Sequence, residues 1–217
     1  MKKMLLLAFV WITFCHGVVL FAEQEAVPHS ADEVKPLSVG EKVPEALVRD
    51  EFGKQRSLSF FLENKPTILI FYRGGWCPYC NTHLGELQKI EGQLVKNGFQ
   101  ILAVSPDRPE KLRESRKKHE LGYRLLSDSS MQLAKAMGLA FRLDDLTFKK
   151  YKESYHIDIE ADSGETHHLL PVPAALIVDG KGVIRFLFAK ANYKERISTE
   201  LLLAEAEKVH QAELHRG

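Results

Sequence analysis

Buried strands alternating with amphipathic helices, an α/β arrangement around a central sheet, are what the apolar pattern of this chain specifies. Two stretches carry most of that expectation. Pro66-Thr-Ile-Leu-Ile-Phe-Tyr72 and Phe99-Gln-Ile-Leu-Ala-Val-Ser105 are short, continuous apolar runs rich in β-branched and aromatic residues, the signature of strands covered on both faces. Behind the first, Leu84, Leu87, Ile90, Leu94 and Val95 recur at helical spacing among charged and amide residues, which predicts an amphipathic helix. Behind the second, Pro109 to Glu120 reads as a charged helix, so strand, helix, strand and helix alternate.

The remaining elements follow from turn and capping signals. Asp50 to Gly53 lies between two short runs in Leu47 to Leu58 and predicts a small hairpin ahead of the first core strand. Tyr123 to Asp128 reads as a shorter strand, and Met131 to Met137 as a helix stopped by Gly138. Leu143 to Tyr155 is helix-like and is followed by a polar segment, Asp162 to His168. Pro173 to Phe188 predicts a second hairpin, turning at Asp179 to Gly182, and Ser198 to His210 a closing helix. With 217 residues, 45% of them hydrophobic, the chain has material for one domain, placed at 39–210 with a tether at 23–38 and a tail at 211–217. Thirty basic against 29 acidic side chains give a net charge of +1, which supplies no electrostatic reason for a nucleic-acid partner; the basic run from Lys111 to Lys118 reads as one solvated helix face.

The N-terminus carries an address. Lys2 and Lys3 precede an apolar segment, Met4 to Ala22, that is interrupted only by Thr13, His16 and Gly17. Residues 1–22 are therefore either a secretory signal or, because the segment is long and Leu20 stands where a cleavage site wants a small residue, an uncleaved membrane anchor. Both versions place the rest of the chain outside the cytoplasm, periplasmic or secreted, with any membrane contact confined to that segment. Cys15 lies within it and reads as an apolar filler.

Two cysteines then remain, in Phe71-Tyr-Arg-Gly-Gly-Trp-Cys-Pro-Tyr-Cys80, where the first core strand gives way to its helix. Gly74 and Gly75 supply the corner, and Pro78 suits a first helical turn. A thiol at a helix N-terminus meets free N–H groups and the positive end of the helix dipole, and Arg73 adds charge nearby, so a thiolate is favoured there. A second sulfur so close makes a Cys77–Cys80 disulfide the natural oxidised product. A purely structural bridge is the blander reading, but closing so short a loop restrains the unfolded chain little. Cys77, Cys80, His83, His167 and His168 also offer zinc ligands at a permissive spacing; solvated histidines are the simpler account, and no metal or cofactor is assigned. Trp76 and Tyr79 flank the thiols, either as an apolar lip for substrate or as packing. Asp107 and Asp128 end strands on the same edge, and helix capping accounts for both.

The dithiol after the first core strand, together with Val172-Pro173 before the late hairpin, resembles the thioredoxin superfamily, with Pro173 in the place of its cis-proline facing the cysteines. The Tyr72–Cys80 run, Ala136-Met-Gly-Leu-Ala-Phe-Arg142 and Leu170 to Arg185 are together similar to the peroxiredoxin branch related to alkyl hydroperoxide reductase, over roughly residues 39–210. The resemblance implies a thioredoxin-like fold: a central mixed sheet flanked by helices, with an N-terminal hairpin and a peroxiredoxin-like insertion. It implies a thiol peroxidase that reduces hydrogen peroxide and organic hydroperoxides through Cys77 and Cys80 and is re-reduced by a thioredoxin-like or small-thiol donor. Typical members carry threonine or serine where Cys77 stands and arginine where Pro173 stands, so Arg73 and Arg142 become the candidate replacement cations and Trp76 a substrate contact. Peroxiredoxin register makes Cys80 the attacking sulfur; thioredoxin register makes it Cys77. The alternative activity is thiol:disulfide exchange on exported proteins, since Cys-Pro-Tyr-Cys is also the glutaredoxin motif.

Overall fold

Every residue of strand β3 (Thr67–Phe71) is buried, because helices cover the sheet on both faces. The structure, a computed structural model, describes residues 27–215. Along β3 the side chains alternate between two cores. Leu69 and Phe71 join one with Leu102, Val104 and Leu126, while Ile68 and Ile70 join the other with Ile101, Ala103 and Leu125. This period of two, read over three neighbouring strands, is why the apolar runs carry no polar face.

The first core is closed by α1 (Leu58–Leu62) and α4 (Gln132–Ala136) through Leu58, Phe61, Leu133 and Ala134. The second is closed by α2 (Pro78–Lys96), α3 (Pro109–His119) and α7 (Thr199–Leu214) through Leu84, Leu87, Leu94, Leu112 and Leu202. Val95, expected on the buried stripe of α2, is exposed, since the stripe is complete with Leu94.

The sheet contains seven strands: β1 (Leu47–Asp50), β2 (Gln55–Ser57), β3, β4 (Gln100–Ser105), β5 (Arg124–Ser127), β8 (Ala174–Val178) and β9 (Ile184–Ala189). Their order is β2-β1-β5-β4-β3-β8-β9. The three central strands are parallel and the flanking ones antiparallel, a mixed sheet as expected. The two hairpins turn where the aspartates place them: Asp50 accepts the Phe52 and Lys54 N–H groups, and Asp179 those of Lys181 and Val183.

Four differences from the sequence expectation concern the middle and the start of the domain. Two three-residue strands, β6 (Ala140–Arg142) and β7 (Leu169–Pro171), pair antiparallel across the insertion. The insertion holds α5 (Asp145–Ser154), within the helix-like Leu143 to Tyr155 as expected, and in addition a one-turn helix, α6 (Ile159–Ser163), which runs into what reads as a polar segment. The Val172–Pro173 bond is trans, as are all peptide bonds among the described residues, and the chain passes through it directly from β7 to β8. Finally, the described part of the expected tether, residues 27–38, is packed. Val27, Ala31, Val34 and Leu37 lie against the first core, and Leu37 N–H bonds the Met137 carbonyl at 3.1 Å. The expected leader, residues 1–22, lies outside the described residues.

If the 27–38 strap contributes to the domain, Leu37→Asp lowers the unfolding free energy by roughly 1–3 kcal/mol, the worth of a partly buried leucine plus the cost of wetting its site. Urea denaturation with an unchanged midpoint would show that the strap merely rests on the surface.

Candidate active site

Between the end of β3 and the start of α2, Tyr72 to Cys77 must carry the chain from the sheet onto the helix, and the corner is built of glycine for a steric reason. Gly74 holds φ at +141°, and a Cβ there would run into Trp76 Nε1 and Asp107 Oδ1. Gly75 donates its N–H to Asp107 Oδ2 at 2.7 Å, and its carbonyl accepts from Asn81 Nδ2 at 2.8 Å. The loop is thus pinned from α2 on one side and from the end of β4 on the other. Cys77 caps α2 and Pro78 occupies its first turn. The turn from Gly74 to Cys77 that leads into the helix is closed by the Cys77 N–H bonding the Gly74 carbonyl at 3.1 Å.

Both cysteines are free thiols, each 1% exposed. Their environments separate them. A hydrogen bond from the Cys80 thiol, helped by the Cys80 backbone N–H and by the charges of Arg73 and Arg196, outweighs burial and lowers the Cys77 thiol to about 6. Burial and the same hydrogen bond, given rather than received, push the Cys80 thiol well above its ordinary value. At neutral pH the pair is a thiolate at Cys77 held by a thiol at Cys80.

Arg73 is 3% exposed and lies under three rings, with its guanidinium carbon 4.3 Å from the ring centre of Tyr193, 5.1 Å from Trp76 and 5.6 Å from Tyr151. Its Nη2 donates to the Tyr151 hydroxyl at 2.5 Å, and its Nε has no partner among the described residues. Trp76 meets Tyr151 edge to face, and Tyr79 meets Tyr193 likewise. An aromatic collar therefore surrounds Arg73, and Trp76 packs against the core that contains Cys77 and Cys80.

Other expected contributors are placed differently. Arg142 is exposed on β6 and donates to the His167 carbonyl at 2.8 Å, because the β6–β7 pairing turns it across the insertion. The second cation at the sulfurs is instead Arg196, which donates from Nη2 to Cys80 Sγ at 3.4 Å and is held by the Tyr193 and Glu195 carbonyls. Pro173 lines a small cavity with His83 and Arg196. His167 and His168 are engaged away from the thiols, His167 with the Ser129 carbonyl and His168 with Glu160. Among the described residues no group of three potential ligands is gathered for a metal.

Asp128 is not the N-cap residue of α4, which is Met131, but its carboxylate accepts the Leu133 and Ala134 N–H groups of the first turn and so does the work expected of a cap. Asp107 does not cap α3, whose cap is Arg108; it supports the dithiol loop, and burial pushes its carboxyl up to about 7. Arg196, Tyr151 and Tyr193 had no signal in the sequence, since each lies in a polar or exposed segment. Asp107 had a weak one, its position at the end of the second core strand.

The AhpC/TSA family model matches residues 39–187. The chain is 30% identical to Peroxiredoxin Bcp of Escherichia coli over 106 residues, 49% of this chain and 67% of that protein. It is 25% identical to the chloroplastic Peroxiredoxin Q of Populus jackii over 198 residues, 89% of this chain and 79% of that protein. The crystal structure of reduced Prx3 from Vibrio vulnificus in complex with hydrogen peroxide superposes with a TM-score of 0.65 at 20% identity, covering 80% of this chain and 98% of that one.

Asp107 makes a prediction about pH. Its folded-state value of about 7 lies above the ordinary 3.8, so between those values the unfolded chain releases a proton that the folded one keeps, and stability falls as pH rises through that window. Asp107→Asn removes this contribution. Its melting temperature should equal that of the parent near pH 4 and exceed it increasingly up to pH 7, with Asp128, raised to about 6, contributing the same slope to both proteins. A difference independent of pH would mean that Asp107 does not titrate in this way.

Proposed function

This chain belongs to the AhpC/TSA family, and on that premise we propose that it is a thiol peroxidase working through Cys77 and Cys80; departing from the family register, which makes Cys80 the attacker, we assign the attack to Cys77 and the resolution to Cys80. The observation that carries the assignment of roles is the asymmetry of the pair, a lowered thiol at the helix N-terminus beside a raised one in its first turn. The Cys77 thiolate attacks the terminal oxygen of the hydroperoxide, the O–O bond breaks, and the departing alkoxide or hydroxide takes a proton to leave as alcohol or water. Cys77 is then a sulfenic acid. Cys80 attacks that sulfur, the S–O bond breaks, and the hydroxyl leaves as water with the Cys80 proton. A thioredoxin-like or small-thiol donor opens the resulting disulfide by exchange.

Peroxide cleavage needs donors where charge collects on the departing oxygen. The family's hydroxyl and arginine positions hold Cys77 and Pro173 here, so we assign their work to Arg73, whose Nε is unspent, and to Arg196 at Cys80. Trp76, Tyr151 and Tyr193 keep Arg73 desolvated beside Cys77, where its charge acts most strongly. Thiol:disulfide exchange on exported proteins, the other reading of the motif, is not favoured by the family.

Stopped-flow mixing of the reduced protein with hydrogen peroxide and an organic hydroperoxide, following Trp76 fluorescence, tests the assignment. Cys77→Ser should abolish fast oxidation, and Cys80→Ser should retain the first step but halt at the sulfenic acid, trappable by dimedone. Fast oxidation surviving in Cys77→Ser would transfer the attack to Cys80; slow oxidation of the parent would sink the peroxidase reading.

We further propose that residues 1–22 export the chain or anchor it, with residues 39–210 working outside the cytoplasm. Fractionation of cells expressing the full chain should place it there, and removal of residues 1–22 should leave it inside; equal distribution of the two forms would contradict an address in that segment.

A further inference from the structure

His83 has no role in the cycle described so far. It lies on α2 one turn beyond Cys80, is 5% exposed, and its Nε2 has no hydrogen-bond partner among the described residues. A buried polar nitrogen without a partner costs about 1–3 kcal/mol, so its position needs an explanation. His83 also lines the cavity beside Arg196. That cavity is walled by His83, Pro173, Glu195 and Arg196, with Phe71 and Phe188 among the apolar residues that close it. Its volume is about 10 Å³, room for one water-sized molecule.

The polar groups around it are complementary. Burial first, and then the charge of Arg196, lower the His83 imidazole to about 4, so the ring is uncharged at neutral pH and one nitrogen is an acceptor. Arg196 spends Nη1 on the Tyr193 and Glu195 carbonyls and one Nη2 hydrogen on Cys80 Sγ, which leaves N–H groups on Nη2 and Nε. An uncharged acceptor facing a cation across a one-molecule gap is the arrangement that a bridging water satisfies at both ends.

We propose that the cavity is a single-water site, that the water joins His83 Nε2 to the Arg196 guanidinium, and that His83 acts through this bridge to keep Arg196 aimed at Cys80. His83 is then a positioning residue for the return half of the cycle, a role that rests on the dithiol reading above. In that half a reductant thiolate attacks Cys77 Sγ, a new S–S bond forms to the reductant, and the Cys77–Cys80 bond breaks with its electron pair on Cys80. A second reductant sulfur then releases Cys77, the reductant is oxidised to its disulfide, and Cys80 takes up a proton. Cys80 is buried and leaves reluctantly as an anion, so the Arg196 donor at its sulfur governs the rate of expulsion.

The test is reduction of the diamide-oxidised full chain by dithiothreitol, following thiol release in the parent, His83→Leu and His83→Gln. His83→Leu removes the acceptor and should slow reduction roughly tenfold, the worth of a weakened hydrogen bond to a charged sulfur. His83→Gln restores a polar partner for the water and should return the rate to within about twofold of the parent. Should His83→Leu not fold, His83→Met is equally unable to hold the water and replaces it. Reduction of the apolar variant at the parental rate, or of His83→Gln as slowly as the apolar variant, would overturn the proposal. Because dithiothreitol reduction involves no peroxide, this result is independent of the peroxide stopped-flow experiment, and either reading can fail without the other.

Discussion

The placement of Cys77 and Cys80 within the first turn of α2 organises the chemistry of this protein, and it exists only because the helix starts at one cysteine and turns once to reach the other. That geometry sets the charge on Cys77, the burial of Cys80 and the closeness that makes a disulfide their product. It requires α2 to begin where β3 delivers it. The strand is fixed by cores on both of its faces, and the loop between them is fixed by Asp107 and Asn81. Core packing therefore positions a reactive sulfur.

Around this pair, charge and burial oppose each other. Taking Arg73 and Arg196 out of water is costly, and each is retained because its guanidinium faces partners of complementary character. Arg73 is covered by ring faces and bonded to Tyr151; Arg196 is held by carbonyls and a sulfur. The rings of the collar exclude water that would otherwise screen Arg73 from Cys77. Asp107 and His83 show the other response to burial, since each is shifted toward its uncharged form at a place where a second charge of its sign would be unfavourable. The site thus combines two obligatory cations with two titratable groups that burial shifts toward their uncharged forms.

The insertion between α4 and β7 takes part in this arrangement. Helix α5 has no buried residue, yet it presents Tyr151 to Arg73 and Trp76. Its hold on the domain comes from a few specific contacts, including Phe148 stacked on His168 and Lys152 bonded to Asp158. A segment that reads as surface from its amphipathicity is therefore part of the wall around the thiols.

The residues that the pattern of the chain determined by itself are those whose partners are near in sequence. Strands β3 and β4, helix α2 with Cys77 at its start, and the two aspartate-turned hairpins follow from apolar period, proline and glycine placement, and side chain to backbone bonds a few residues apart. The dithiol, its thiolate character and the family resemblance were legible for the same reason, because their motif is contiguous. What tertiary structure alone decided rests on contacts made across long separations. Arg196 reaches Cys80 from 116 residues away, Tyr151 reaches Arg73 from 78, and the three-residue strands β6 and β7 form only by pairing with each other. Arg142 was as plausible a cation as Arg196 on sequence, and the pairing of β6 turned it elsewhere. A charge in a polar loop carries no mark of the sulfur it meets; that is set when the sheet and its covering helices pack, since only then do distant segments come within the few ångströms over which hydrogen bonds and charges act.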